Sequence, residues 1–217
     1  MNAKEMIARR VALEMENGNV VNLGIGLPTM VANYLPEGVS VTLQSENGFV
    51  GLGALQGEPD PNLVNAGGQP CGIIPGGAMF DSATSFMLIR GGHVDVTVLG
   101  GLEVDEQGNL ANWMVPGKMV PGMGGAMDLV TGAKKVIVAM EHSAKDGSAK
   151  ILEQCRLPLT GKGVVDLIVT ELGVFRVTAA GIVLEEIAPG IDCEFVKART
   201  EADLILSPNL ITMQNIS

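Results

Sequence analysis

Short apolar runs that each end at glycine or at a polar turn constrain this chain most. Residues 20–23 run into Gly24, residues 39–43 run into Gln44, and residues 94–99 run into Gly100. Runs this short and this apolar are typical of strands buried on both faces. Helical segments separate them, and that alternation predicts an α/β sheet.

Further sequence patterns predict the helices that accompany this sheet. Residues 7–15 carry apolar side chains at helical spacing and predict an opening helix that ends before Gly18. Pro28 suits the first turn of a second helix reaching about Tyr34. A third helix runs to about Ile89, with a cap at Asp81 or Ser82 and Gly91 as its end.

The second half of the chain predicts strands rather than helices. Strands are expected at residues 136–140 and 165–170, and a short one at 204–206. Residues 174–177 and 182–187 predict a late hairpin. The Gly- and Pro-rich stretches 51–78 and 105–126 predict loops. The expected fold is an open, mainly parallel α/β sheet flanked by helices, in one domain over residues 1–217.

Composition excludes several classes of protein. The chain has 217 residues and a net charge of −10, which argues against nucleic-acid binding. Its three cysteines contain no CxxC pair and fit a reducing compartment, so a cytoplasmic location is expected. Neither a signal segment nor an apolar run of membrane-spanning length is recognisable.

Glu46 is the sharpest candidate for chemistry. It follows the predicted strand 39–43 and precedes the turn signal Asn47-Gly48, so its carboxylate is expected at the carboxyl edge of the sheet. Carboxylates can act as covalent nucleophiles in acyl transfer. The alternative is an exposed glutamate in a turn.

Glycines supply the remaining candidates. Gly124 and Gly125, in the stretch 122–128, would let a thioester approach backbone N–H donors, although a loop turning into a helix explains them equally. Gly24 and Gly26 lack the third glycine of a dinucleotide fingerprint but could place a phosphate against the following helix. Gly100 ends a strand at the same predicted edge.

Three other residues give weaker evidence of function. Lys118 could contact phosphates or simply be solvated. His93 is expected to be structural, while His142 follows a strand as a candidate neighbour of the site. Two histidines are too sparse for a metal site, so none is predicted. Neither a GxSxG elbow nor a P-loop occurs.

Several long motifs in order resemble the class I CoA-transferases. The run QSENG at residues 44–48 resembles the family's SENG motif, and residues 22–29, 90–95, 111–119 and 122–128 also match. The resemblance covers nearly the whole chain, to about Pro208. It is to the β subunit of the 3-oxoacid CoA-transferases, especially the bacterial enzymes that use acetoacetate.

The resemblance implies a mechanism and a partner. Glu46 would attack an acyl-CoA, form an acyl-glutamyl anhydride, and be converted to a glutamyl-CoA thioester. Gly125 would supply an oxyanion N–H. CoA would be a substrate, with no tightly bound cofactor. A separate α subunit of related fold would complete the active site and part of the CoA site.

The acceptor acid follows less directly from the motifs. Gly68 stands where several succinate-using members carry lysine, which favours acetate or butyrate, but residues 206–210 resemble the succinate type. The alternatives are a succinyl-CoA:3-oxoacid enzyme, an acyl-CoA hydrolase, and a non-catalytic partner subunit. A nicotinamide-dependent oxidoreductase is a more distant one.

Overall fold

One large twisted sheet organises the chain in the computed structural model, which describes residues 2–117, 122–214 and 216. The strands of the large sheet are β1 Val20–Leu23, β2 Thr42–Ser45, β3 Phe49–Gly53, β4 Gly72–Met79, β5 Val96–Leu99, β8 Lys135–Ala139, β10 Leu167–Val169, β11 Gly173–Thr178, β12 Gly181–Ile187 and β13 Leu204–Thr212. A small sheet contains β6 Glu103–Asp105, β7 Leu110–Ala111 and β9 Ile151–Leu152. The helices are α1 Ala3–Ala12, α2 Ser82–Arg90, α3 Ala126–Gly132 and α4 Cys193–Lys197, with a 3₁₀ helix at Leu27–Tyr34.

The centre of the large sheet is parallel. The strand order is β13-β12-β11-β10-β8-β5-β1-β2-β3-β4, and the five strands from β10 to β2 pair in parallel. The chain leaves β1 towards β2 and later continues from β5 towards β8. The connections therefore diverge between β1 and β5. In such sheets ligands bind beyond the carboxyl ends of the strands at this point.

Local signals explain the elements that the sequence predicted. The side chain of Asn2 caps α1 by accepting from the N–H of Glu5, and α1 buries an apolar face that includes Ile7 and Val11. Asp81 caps α2 in the same way. The buried strands β1, β5 and β8 and the antiparallel hairpin β11–β12 form where predicted. The prediction of a mainly parallel α/β sheet is confirmed.

The prediction of a loop over residues 51–78 is wrong at both ends. β3 and β4 pair antiparallel there and extend the sheet beyond β2. A Cβ on Gly51 would lie 2.7 Å from the Cα of Gly77, so only glycine permits this close approach. The register shifts between Val50 and Leu52. Glycines and a register shift hide the alternating pattern that normally marks a strand.

Smaller differences concern element type and length. The helix predicted from Pro28 is a 3₁₀ helix, β2 starts three residues later than predicted, and β13 is much longer than the predicted 204–206. The loop predicted over 105–126 contains β7 and ends at α3. Short elements with few apolar residues leave little periodic signal.

Two apolar clusters cover the two faces of the sheet. One includes Leu129, Ile168 and Phe175, and the other includes Ile7, Val98 and Leu167. An ion cluster lies beside the second: Arg10 pairs with Glu14 and Glu186, and Lys135 pairs with Glu14. None of the helices in the described part of the chain is long and apolar enough to cross a membrane.

Candidate active site

Glu46 lies at the carboxyl edge of the parallel strands, where the sequence placed it. Ser45 ends β2, and Glu46 begins the turn that leads to β3. β2 pairs in parallel with β1, with Asn22 opposite Gln44. The parallel pairing brings the ends of β1 and β2 to the same edge of the sheet. Glu46 is half-buried beside that edge.

A chain of buried polar side chains holds one oxygen of this carboxylate. Asn22 Nδ2 donates to Glu46 Oε2 at 3.0 Å and to Gln44 Oε1 at 2.7 Å. Gln44 Nε2 donates to Ser85 Oγ at 2.8 Å, and Ser85 Oγ donates to the backbone O of Ser45 at 3.1 Å. Asn22 is 1% exposed and Ser85 is fully buried. Donors fixed in this way need no rearrangement when charge develops on the carboxylate.

Gly125 lies against Glu46. A Cβ on Gly125 would stand 3.4 Å from Glu46 Cγ and 3.3 Å from Phe86 Cζ. Gly125 immediately precedes α3. Arg90 Nε donates to Asp128 Oδ1 at 2.6 Å and joins α2 to α3 behind this contact. The structure therefore brings together the two residues predicted to be catalytic, from opposite halves of the chain.

A small cavity opens beside Glu46. Its volume is about 110 Å³, and its walls come from the segment after β1, from the end of β2, and from the loop 65–69. Leu23, Ile25, Ala32, Leu43 and Leu52 supply apolar walls. Among the described residues that line it, none is lysine or arginine.

The loop 65–69 is held beside Glu46 by hydrogen bonds within the loop and by hydrogen bonds to the two residues that flank Glu46. Asn65 Oδ1 accepts from the N–H groups of Gly67 and Gln69 at 2.9 Å and 3.0 Å. The N–H of Ala66 donates to Ser45 Oγ, and Asn47 Nδ2 donates to the backbone O of Val64. These contacts fix the mouth of the cavity beside the Glu46 carboxylate.

A second cavity of about 560 Å³ lies at the divergence between β1 and β5. Gly100, Gly101 and Leu27 line it, together with three lysines: Lys4, Lys145 and Lys150. Burial lowers the pKa of Lys150, while the carboxylates of Glu141 and Glu171 act in the opposite direction. Leu27 lines this cavity, while Ile25 and Thr29 line the first one. The two cavities therefore lie on either side of the segment after β1.

Of the other predicted site residues, Gly100 lines the second cavity, whereas Gly24, Gly26 and Gly124 line neither cavity. Gly24 donates its N–H to the backbone O of Val98, and a Cβ there would stand 3.1 Å from Leu99 Cδ2. Gly26 has φ +89° and precedes the 3₁₀ helix. Gly124 has φ +55° and is exposed. Lys118 lies outside the described residues.

His142 belongs to the interior. It is fully buried, and its ring nitrogens lie 3.1 Å and 3.0 Å from the hydroxyl oxygens of Thr170 and Thr200. Burial lowers its pKa to about 4, and the charges of Arg199 and Lys150 act in the same direction. A neutral, hydrogen-bonded histidine packed on Phe175 is a structural element of the core.

Sequence reasoning overlooked the polar side chains behind Glu46. Asn22 and Ser85 lie within β1 and α2, whose other residues are mainly apolar, whereas Gln44 lies in β2 between Leu43 and Ser45. A buried amide inside an apolar strand is itself unusual, because such a group needs partners. That signal was available at Asn22, but it does not identify the partner.

The fold and the site together define an acyl-transfer protein of known architecture. The chain superposes on the crystal structure of an acyl-CoA transferase apoenzyme from Escherichia coli O157:H7 with a TM-score of 0.79 and 25% sequence identity. The match covers 99% of this chain and 44% of that longer chain. The spatial arrangement of the sheet is therefore that of an acyl-CoA transferase half.

Sequence comparison gives the family. The coenzyme A transferase family model matches residues 4–199. The chain is 66% identical to the acetate CoA-transferase beta subunit of Haemophilus influenzae, over 99% of this chain and 96% of that protein. It is 65% identical to the protein of the same name from Escherichia coli K12, over 99% of both chains. The chain belongs to the coenzyme A transferase family, and the prediction of a CoA-transferase is confirmed.

Proposed function

We propose that this chain is the catalytic β subunit of an enzyme that moves CoA from acetoacetyl-CoA to acetate or butyrate through a thioester on Glu46. One observation carries the proposal. The carboxylate of Glu46 is fixed at the ligand-bearing edge of the sheet, beside Gly125 and beside a small cavity. A fixed carboxylate next to a glycine backbone and an acid-sized space suits covalent acyl transfer.

The chemistry proceeds in two steps on each acid. Glu46 attacks the carbonyl carbon of the acyl-CoA, the C–S bond breaks, and an acyl-glutamyl anhydride forms with free CoA thiolate. The thiolate then attacks the Glu46 carbonyl and releases the acid. The N–H of Gly125 would donate to the substrate oxyanion in the first step. A second acid reverses the sequence, and similar thioester energies make ATP unnecessary.

The cavity favours a small monocarboxylic acid as acceptor. Its volume of about 110 Å³ suits an acid with a few heavy atoms, and its walls are largely apolar. Succinate carries a second carboxylate, which would have to be buried against Leu and Ile side chains, and none of the described residues that line the cavity is lysine or arginine. Burying an unpaired charge is costly. Both sequence relatives described above are named for acetate.

The second cavity is the proposed place for the CoA nucleotide. Three lysines, Lys4, Lys145 and Lys150, line this cavity together with two glutamates, Glu103 and Glu141, which leaves one net positive charge in a chain whose net charge is −10. Gly24, Gly26 and Gly100 follow β1 and β5 on the proposed path of the pantetheine arm; a Cβ on Gly26 or Gly100 would meet nothing within 4 Å, whereas Gly24 packs against Leu99. We include Gly124 and Lys118 in the proposed CoA site, because a glycine at 124 lets a thioester approach the backbone and a lysine at 118 suits a phosphate.

The proposed assembly contains a separate α subunit. The two sequence relatives are named as beta subunits, and the chain spans 44% of the longer acyl-CoA transferase on which it superposes. A partner would cover the exposed side chains Met79, Met87 and Met127 near α2 and α3. The proposed location is the cytoplasm.

A trapping experiment tests the nucleophile. The chain is co-expressed with its α subunit, incubated with acetoacetyl-CoA, and reduced with borohydride. Peptide mass spectrometry should find Glu46 converted to the alcohol, and Glu186, a glutamate of the ion cluster, should remain unmodified. A complex that exchanges CoA while Glu46 stays unmodified would refute the proposal.

An acceptor panel tests the substrate and the rival functions. Acetate and butyrate should accept CoA with higher kcat/KM than succinate, because none of the described residues that line the cavity offers a positive charge to a second carboxylate. Equal or better use of succinate would contradict the proposed acceptor. Loss of acetoacetyl-CoA without any acceptor, at a comparable rate, would instead identify a hydrolase.

A further inference from the structure

The side-chain amide of Asn22 contacts the one oxygen of Glu46 that the nucleophilic attack does not use. We propose that Asn22 is a catalytic residue, whose Nδ2 stabilises the negative charge on Glu46 Oε2 each time a nucleophile adds to Glu46 Cδ. This inference rests on the proposed use of Glu46 as the nucleophile. It assigns a donor to the steps that occur on the enzyme's own carbonyl, whereas Gly125 serves the substrate carbonyl.

The orientation of the Asn22 amide is fixed by its surroundings. The atom assigned as Nδ2 lies 3.0 Å from Glu46 Oε2, 2.7 Å from Gln44 Oε1 and 3.4 Å from Gln44 O. All three neighbours are acceptors, so the atom between them must be the NH₂ group. A flipped amide would place an oxygen against three oxygens.

The two oxygens of Glu46 are therefore not equivalent. Oε2 accepts from Asn22, whereas Oε1 has no hydrogen-bond donor within the described ranges 2–117, 122–214 and 216. An oxygen without a donor keeps its lone pairs available and is the better nucleophile. The geometry thus points to Oε1 as the attacking atom and leaves Oε2 as the carbonyl oxygen of the anhydride.

Charge on Oε2 follows from electron counting. When the CoA thiolate bonds to Cδ of the anhydride, the π electrons of the Cδ–Oε2 bond move onto Oε2. Their return breaks the Cδ–Oε1 bond, and the released acid leaves as a carboxylate carrying Oε1. When an acceptor carboxylate later attacks Cδ of the thioester, Oε2 is charged again before the thiolate leaves. Asn22 Nδ2 lies 3.0 Å from Oε2 before the reaction begins, in position to donate to this charge.

The neighbours of Asn22 hold this donor in place before the reaction. Gln44 orients the amide, Ser85 orients Gln44, and both partners are almost fully buried. Asn22 Oδ1 is itself buried and finds no partner among the described residues. A buried unsatisfied oxygen costs stability, so this position invites a functional explanation. A donor preorganised in a site shielded from water stabilises developing charge strongly.

The test uses the assembled enzyme and a single half-reaction. Wild type, Asn22→Leu and Thr97→Val are mixed with acetoacetyl-CoA without acceptor, and formation of the Glu46–CoA adduct is followed by rapid quenching and mass spectrometry. Thr97 lies opposite Asn22 on the adjacent strand and is fully buried. Thr97→Val is therefore a matched control for disturbing the same part of the sheet. The carbonyl stretch of the adduct is recorded by isotope-edited infrared difference spectroscopy.

The inference expects Asn22→Leu to slow adduct formation by roughly 10²- to 10³-fold, the usual effect of removing one oxyanion donor. The carbonyl stretch should move to higher frequency, because the donor that weakens the carbonyl bond is gone. Thr97→Val should match wild type in both measurements. A wild-type rate and an unshifted band in Asn22→Leu would overturn the inference. A slowed rate with an unshifted band would also overturn it, because that combination indicates that Asn22 only positions Glu46.

Two further outcomes are informative. If Asn22→Leu does not fold, the wild-type band is compared with that of a glutamyl thioester in an aprotic solvent. A lower frequency in the enzyme supports the donor, and an equal frequency overturns it. If wild type forms no Glu46 adduct at all, the proposed function has failed, and this result is distinct from an adduct that forms without help from Asn22.

Discussion

Two clusters of buried polar groups occupy different parts of this molecule, and both contain glutamates. At the edge of β1 and β2, the hydrogen bond that Glu46 accepts from the described residues comes from the neutral amide of Asn22. Between α1, β8 and β12, Glu14 and Glu186 meet Arg10 and Lys135 at 2.6–2.8 Å. Arg10 Nε also donates to Glu186 Oε2, so that pair is bidentate.

The difference lies in how each negative charge is balanced. Ion pairs of good geometry hold both partners in place and leave a carboxylate little reactivity. A neutral amide orients a carboxylate without neutralising it, so one oxygen stays available for attack. The ion pairs stabilise the fold, while the neutral amide beside Glu46 suits the proposed chemistry. Substitutions that behave differently in the two clusters would sharpen this contrast.

The largest expected effect is that of Glu46→Gln. Removing the nucleophile should lower kcat by roughly 10⁴-fold or more, as for other covalent nucleophiles, with little change in melting temperature. Glu186→Gln is the matched control. It should keep its activity per folded molecule and lose stability. Steady-state assays and thermal melts of both variants check the contrast, which would collapse if both lost activity alike.

Arg10→Met should have the next largest effect, on stability alone. It leaves Glu14 and Glu186 buried with one partner fewer, and breaking a buried pair in this way costs about 3–5 kcal/mol. Urea unfolding of the chain measures the loss. An unchanged free energy of unfolding would show that these glutamates find solvent or other donors.

Acid should destabilise the chain through a third buried group, His142. Its pKa is lowered to about 4 by burial, whereas an unfolded histidine titrates near 6.5. Below about pH 6.5 the unfolded state binds a proton that the folded state does not bind. The free energy of unfolding therefore falls as the pH drops towards 4. The loss is about 2 kcal/mol at pH 5. Urea unfolding at pH 7 and pH 5 should show a smaller drop for His142→Gln, and an equal drop would exclude this source.

The ion cluster should add to this acid sensitivity. Burial acts to raise the pKa of Glu14, but hydrogen bonds from Lys135 and Arg10 prevail and hold that pKa below its ordinary value. Its contribution is present above the unfolded pKa and is lost as pH falls through the folded one. The additional loss should therefore occur below the range in which His142 acts.

The smallest expected effect is that of Thr97→Val near the active site. The Thr97 hydroxyl is buried and has no hydrogen-bond partner in the part of the chain that the structure describes. Replacing it by a methyl group of the same shape should raise the free energy of unfolding by about 1 kcal/mol. A loss of stability in urea unfolding would indicate that the hydroxyl has a partner, such as an ordered water.

Local signals in the sequence were enough to predict much of the fold and the position of the proposed nucleophile. Apolar runs predicted β1, β5 and β8, helical spacing predicted α1, and a cap residue helped to predict α2, because these signals act within a few residues. The strand followed by Asn47-Gly48 placed Glu46 on a turn at the sheet edge for the same reason. The assignment of one domain to residues 1–217 stays a prediction.

Long-range pairing decided the rest. Nothing near Asn22 in sequence reveals that it faces Gln44 and Thr97, because register is fixed only when β1 pairs with β2 and β5. The approach of Gly125 to Glu46 likewise depends on how α2 and α3 pack. Sequence patterns were therefore sufficient to select Glu46 as the candidate nucleophile. Tertiary packing selects the amide that holds it, since a hydrogen bond between distant residues needs the whole sheet to bring its two atoms within 3.0 Å.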